Sequence, residues 1–235
     1  YTDGNRCANS DEATVTVENC YVLYCSYTQG YFGNKGGIAC TPDGPSTTLN
    51  LISNSIGNMP NDKLYLGLPG HSFTVLQADA AKIMDLLPGG GKSVVLGGDY
   101  NWMSVPKKGK KIDNTLLAQT IALALNVYMP GSDLGSFSLA DGAGKWMITR
   151  DNGGTCADPE PAACKFEPIY TEGIITGYTL TYNPYQGWEM PAEVINALGG
   201  NKTVMDLLKL ASDALGGAAL PAGVTLEAIA DAAAH

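Results

Sequence analysis

Asp113-Asn114-Thr115-Leu116-Leu117-Ala118-Gln119-Thr120-Ile121-Ala122-Leu123-Ala124-Leu125-Asn126-Val127-Tyr128 carries the strongest helical signal in this 235-residue chain. Asp113 or Asn114 can cap the first turn, because a short polar side chain accepts from N–H groups that have no partner inside the helix. Leu116, Leu117, Ile121, Leu125 and Tyr128 form a broad apolar face, flanked by Ala118, Ala122, Leu123, Ala124 and Val127. A helix that is apolar nearly all round has no face to offer water, so the pattern predicts a buried central helix.

Upstream of it, residues 13–18 alternate small or apolar with polar side chains, as a half-buried strand does. Residues 20–27 read as a second strand, rich in aromatics. Residues 29–37 read as a Gly/aromatic loop and 41–62 as a turn-rich stretch. Residues 63–68 fit a short strand. Leu76, Ala80, Ile83, Met84 and Leu87 are at helical spacing, predicting a helix over 76–87 that Pro88 and its following glycines end. Ser93–Leu96 reads as a short strand. Downstream, strand patterns dominate at 134–139, 145–149 and 173–182. Three helices are then expected, at 191–198, 203–215 and 225–234, the second with a Thr203-x-x-Asp206 capping pattern. The expected fold is α+β: a β-rich, sandwich-like body, one buried central helix and a helical C-terminal end. It is read as one domain over 1–235. Residues 1–45 form a disulfide-rich strand segment, 46–190 the body with helices near 76–87 and 113–128, and 191–235 the helical end.

Composition narrows the function. Charged residues are 16 % of the chain and hydrophobic ones 45 %, so the chain is built to fold and not to stay disordered. The net charge of −9 argues against nucleic acid, whose binding needs clustered positive charge. The one basic run, Lys107, Lys108, Lys110 and Lys111, reads as a solvated hairpin tip, with Pro106 and Gly109 making the turn. Apolar runs stop well short of the ~20 residues a membrane span needs. The sequence opens at Tyr1 with no hydrophobic leader, and is read as processed from a longer precursor. The helical pattern still runs at His235, so a further segment is expected beyond it.

Six cysteines, Cys7, Cys20, Cys25, Cys40, Cys156 and Cys164, admit three readings. Zinc would want paired knuckles, usually with histidine; only Cys20 and Cys25 approach that spacing, and there are two histidines. Redox chemistry would want Cys-x-x-Cys, which is absent. An even count in loop-rich segments fits disulfides and an oxidising compartment. Cys156–Cys164 is expected as a local clasp, and the other four cysteines are expected to pair among themselves. Five positions apart, Cys20 and Cys25 face opposite sides of an extended strand and should not join. Cys7–Cys20 with Cys25–Cys40 is one arrangement consistent with this, out of fifteen.

Cys25-Ser26-Tyr27-Thr28-Gln29-Gly30-Tyr31-Phe32-Gly33-Asn34 resembles a Cys-Thr-Tyr-Thr-Gln-Gly-Tyr-Trp-Gly/Lys-Asn segment in a widespread, poorly characterised set of exported bacterial surface proteins. Leu116–Asn126 is similar to a helix of the same proteins, and Leu207–Gly216 with Leu226–Ala230 is similar to their usual end. Phe32 stands where Trp is usual. The resemblance implies export and a cell-surface or extracellular setting. It brings no catalytic residue with it.

No constellation in the sequence commits to a reaction, a cofactor or a metal. His71 lies in a Pro-Gly turn and there is no Gly-x-Ser-x-Gly elbow. Asp99, Asp141, Glu172 and Glu189 fall near strand ends beside Tyr100, Trp102, Trp146, Tyr170 and Trp188. This sets an aromatic-lined sugar site against the plainer reading of core aromatics and solvated acids. Loops 151–154 and 97–101 lack the EF-hand spacing and are explained by Asx turns. Residues 88–93 share glycines and Lys-Ser with a P-loop but precede a strand, so they read as a connector. Asn201-Lys202-Thr203 is a lone sequon. The expected function is a secreted structural protein: a self-assembling subunit of a fibre, pilus-like filament or surface layer, its residues 12–18 adding to the sheet of a neighbour. Its partner would be itself. An extracellular glycan- or ligand-binding module and a carboxylate-dependent glycoside hydrolase are the alternatives.

Overall fold

A computed structural model describes residues 26–41, 44–144, 146–150, 166–171, 174–180 and 185–234. In chain order the elements are α1 (Gln29–Phe32), β1 (Ile38–Thr41), β2 (Gly44–Thr47), α2 (Thr48–Gly57), β3 (Lys63–Leu68), β4 (His71–Leu76), α3 (Ala80–Leu86), β5 (Tyr100–Asn101), β6 (Lys107–Lys108), β7 (Lys111–Ile112), α4 (Thr115–Val127), β8 (Trp146–Arg150), β9 (Phe166–Thr171), β10 (Ile174–Leu180), β11 (Tyr185–Glu189), α5 (Ala192–Ala197), α6 (Val204–Leu215) and α7 (Leu226–Ala234). The fold is α+β, with the buried central helix and the helical C-terminal end that the sequence predicts.

Helix α4 is the hub. Eleven of its thirteen residues are buried, and α1, α2, β3, β7, α6 and α7 all touch it. Its buried polar groups are each satisfied, as burial demands. The Thr120 hydroxyl donates to Leu116 O within the helix, at 2.7 Å. Asn114 and Asn126, near the two ends, act as backbone mimics. Asn114 Oδ1 caps Leu117 N, while its Nδ2 donates to Val94 O at 2.8 Å. Asn126 accepts from Tyr27 N and donates to Tyr27 O, both at 2.8 Å. Each amide thus holds an extended segment where a neighbouring strand would otherwise be needed. Residues 93–96 are therefore not a ladder strand; Asn114 and the bond from Leu96 N to Leu215 O tie them down.

Five short sheets supply the strand content among the described residues: three hairpins, the non-consecutive pair β8 and β11, and one three-stranded sheet in the order β3-β4-β5. β3 and β4 are antiparallel in continuous register from Lys63↔Leu76 to Leu68↔His71; β4 and β5 run parallel. Leu64, Leu66, Phe73 and Val75 point into the core by simple alternation, while Tyr65 turns outward.

Several local expectations are corrected. The loop over 29–37 begins with a helical turn, α1, because the Thr28 hydroxyl accepts from Tyr31 N and caps it. The turn-rich 41–62 contains α2, capped by Thr47 and buried along Leu51, Ile52, Ser55 and Ile56. The helix over 76–87 starts only at Ala80, since Leu76 still belongs to β4. Leu134–Leu139 is not a strand: Leu134–Ser136 is a 3₁₀ turn closed by Ser136 N to Asp133 O and Phe137 N to Leu134 O. The later segments fit their reading. α6 carries the full capping box, Thr203 Oγ1 accepting from Asp206 N and Asp206 Oδ2 from Thr203 N. The strand expected at 13–18, and residues 20–25 of the one expected at 20–27, lie outside the described residues; Ser26 and Tyr27 are not in a strand.

Candidate functional site

The aromatic segment that carries the sequence resemblance is a structural plug. Tyr27 is clipped to Asn126, and its ring stacks on Tyr31 with centroids 4.3 Å apart. Phe32 is completely buried and meets both tyrosines edge-on. Gln29 Oε1 accepts from Gly89 N at 3.0 Å, fixing the segment to the connector after α3. Gly33 has no room for a side chain: a Cβ there would sit 2.3 Å from Leu87 O. Lys35 pairs with Asp85 at 2.9 Å on the surface. That hydrogen bond, ahead of the lysine charge itself, holds the Asp85 carboxyl below its ordinary value. Most of the described residues of the motif therefore have a packing or backbone partner.

Three buried hydroxyls, Tyr31 OH in this segment and Thr48 Oγ1 and Ser55 Oγ in α2, have no hydrogen-bond partner among the described residues. Burial pushes the Tyr31 phenol above its ordinary value, and the neighbouring Thr48 hydroxyl offsets this in part, although the two are not in hydrogen-bonding geometry. A hydroxyl desolvated without a partner is a net cost. Thr48→Val is thus expected to leave stability unchanged or raise it by up to about 1 kcal/mol, as read from urea unfolding. A clear loss would mean that the hydroxyl has a partner, such as an internal water.

The other residues singled out by sequence fall into structural roles or outside the described set. Cys7, Cys20, Cys25, Cys156 and Cys164 lie outside it; Cys40 is in β1, opposite Pro45. Asp99 Oδ1 accepts from Ser72 Oγ at 2.6 Å and from Gly70 N at 3.1 Å, pinning the turn between β3 and β4. The His71 ring is hydrogen-bonded through Nδ1 to Leu96 O. Serine reaches the carboxylate directly, with no imidazole between them, so His71, Ser72 and Asp99 do not form a catalytic relay. Asp141 is exposed in a turn, Glu189 is exposed at the end of β11 opposite Trp146, and Glu172 lies outside the described residues. Tyr100 and Trp102 pack on the core, with Lys82 Nζ 4.8 Å over the Trp102 ring. Exposed Tyr170 lies on β9 and Trp188 on β11. The lysines form the expected hairpin tip, with Gly109 at φ +67°. Loop 151–154 is outside the described residues, in which no group of three or more His, Cys, Asp or Glu is placed to hold a metal.

What the sequence did not reveal is a groove of about 430 Å³ between β3 and α6. β3 is the edge of its sheet. Gly67 N leaves the ladder and donates to Ser212 Oγ at 2.9 Å; its cross-strand partner Ser72 donates outward to Gly98 O at 3.1 Å. Gly67 and Ser72 are therefore a non-hydrogen-bonded pair. Alternation along an antiparallel ladder turns the peptide groups of Tyr65 and Lys63 outward as well. At the Leu68 end α6 closes on the strand, where Gly216 leaves no space for a Cβ. Nearer Lys63 the two elements part to form the groove.

One wall is a single helical stripe of α6, Met205, Leu208, Lys209, Ser212 and Asp213, at the i, i+3, i+4, i+7, i+8 spacing of one face. Ala124 on α4 and Tyr128, the residue that caps its C-terminus, close the bottom, and Met59, Pro60 and Asn61 form an end. Two large apolar side chains stay open to solvent there, Tyr65 at 41 % and Met205 at 38 % exposure. The Lys209–Asp213 ion pair and Lys63, whose Nζ lies 5.3 Å from the Tyr65 ring centroid, make a polar rim. At the end, Asn61 and Asp62 hold consecutive positive φ angles of 58° and 50°. Even for Asn and Asp the left-handed region costs energy, and such backbone gathers at functional places. One signal was readable: Met205 falls off the Val204, Leu207, Leu208, Ala211 stripe that α6 buries, so it had to face something else.

No protein-family model, curated protein or solved structure matches this chain.

Proposed function

We propose that the chain is a secreted, self-assembling surface protein, a subunit of an extracellular fibre, pilus-like filament or surface layer, whose copies join by strand addition through the N-terminal segment. The observation that carries this is the edge of β3. Its outward peptide groups at Lys63 and Tyr65 meet a groove with apolar lining and a charged rim instead of a neighbouring strand. Soluble proteins generally blunt such edges, and one left beside apolar surface is a template for another strand. The even cysteine count and the absence of a reacting set in the sequence support the same reading.

Deleting residues 1–18 tests it. Light scattering coupled to gel filtration should find concentration-dependent species for the full chain and a monomer for the deletion. A full chain that stays monomeric at every concentration, or a deletion that assembles as well as the parent, contradicts the reading. A glycan- or ligand-binding module is the second reading, favoured by Tyr170 standing 61 % exposed on β9 with Trp188 also exposed on β11. Aromatic faces of this kind stack on sugars or cations. Binding on a glycan array that is lost in Tyr170→Ala would support that reading over the first.

A further inference from the structure

Resting on the self-assembly reading, we propose that the groove along β3 is the acceptor and that residues 13–18 of a second copy are the strand that fills it, pairing with the outward peptide groups of Lys63 and Tyr65. Three observations lead there. The groove is lined for an extended chain, with main-chain groups on one wall and apolar side chains beneath. The segment Ala13-Thr14-Val15-Thr16-Val17-Glu18 has the matching alternation. A strand laid on β3 with Ala13, Val15 and Val17 facing the side of Leu64 and Leu66 leaves Thr14, Thr16 and Glu18 beside the outward Lys63 and Tyr65. Glu18, the one charge of the segment, then lies on the side of Lys63, while Lys209 is already paired with Asp213.

The third observation is the position of Tyr27. Tyr27 is clipped to Asn126 of α4, the helix whose Ala124 and C-terminal cap Tyr128 form the bottom of the groove. An extended chain covers roughly 3.3 Å per residue, so nine residues, the number from Tyr27 back to Glu18, can span about 30 Å, enough to pass around a helix. A segment within reach of its own groove is equally suited to the identical groove of a neighbour, which is how copies exchange an element.

The test uses the full chain. Tyr65, already exposed, is replaced by the photo-crosslinker p-benzoylphenylalanine, and unlabelled and nitrogen-15 copies are mixed dilute, concentrated and irradiated. The expected product joins residue 65 of one isotope to the 13–18 peptide of the other. Joining only within one isotope overturns the proposal, because the strand is then the chain's own. Assembly with residue 65 joined elsewhere overturns the acceptor while leaving self-assembly standing. A chain that never assembles overturns both. In parallel, Tyr65→Pro removes an outward N–H without touching the β3–β4 ladder, whereas Tyr65→Ala keeps it. The proline variant should assemble roughly tenfold more weakly than the alanine variant. Equal assembly by the two, each folded by circular dichroism, overturns main-chain pairing at this edge, and if the proline variant does not fold the crosslink decides.

Discussion

Phe32→Ala is expected to lower the free energy of unfolding by about 3–5 kcal/mol, enough to unfold a marginal domain at body temperature. The side chain is fully buried, stacked edge-on against Tyr27 and Tyr31, in a segment held to α4 and to the connector after α3. Removing it takes away the transfer energy of a large ring and leaves a void that α1, a single turn, is poorly able to close. Phe32→Trp is a useful companion, because it keeps an aromatic ring while adding volume to a filled site. Urea unfolding of both variants checks the claim. A loss under about 1 kcal/mol for alanine would mean that the ring is not part of the core.

Asn126→Leu is expected to cost about 2–4 kcal/mol although the branched shape of the side chain is kept. Leucine cannot replace the two 2.8 Å hydrogen bonds to Tyr27, so a main-chain N–H and a C=O lose their side-chain partner together. The damage should be local first. Hydrogen exchange should accelerate around residues 27–34 while the centre of α4 stays protected. Uniform acceleration along α4 would place Asn126 in the helix's own stability and contradict the clip.

How far the sequence disclosed this fold varies with the physics of each element. α4 was legible because an apolar pattern on every side can be satisfied only by burial. α6 was legible through Thr203 and Asp206, a local exchange of hydrogen bonds that needs no tertiary context. α2 was hidden by Thr48, Asn50, Ser53, Asn54 and Ser55, poor helix formers that here are held by Thr47 and by the burial of Leu51, Ile52 and Ile56. Leu134–Leu139 alternates like a strand, but i+3 bonding curls its first half. The groove could not be read at all: residues 59–66, 124–128 and 205–213 meet only through tertiary packing. The aromatic segment was conspicuous for a different reason from the one it suggested. Its Tyr, Gln, Phe and Gly residues are constrained by packing, and the surface that could meet a partner lies on another side of α4.

Negative-stain microscopy of native material tests self-assembly most directly. Ordered filaments or sheets are predicted, dispersing when residues 1–18 are absent. Separate particles of single-chain size at all concentrations would contradict the account.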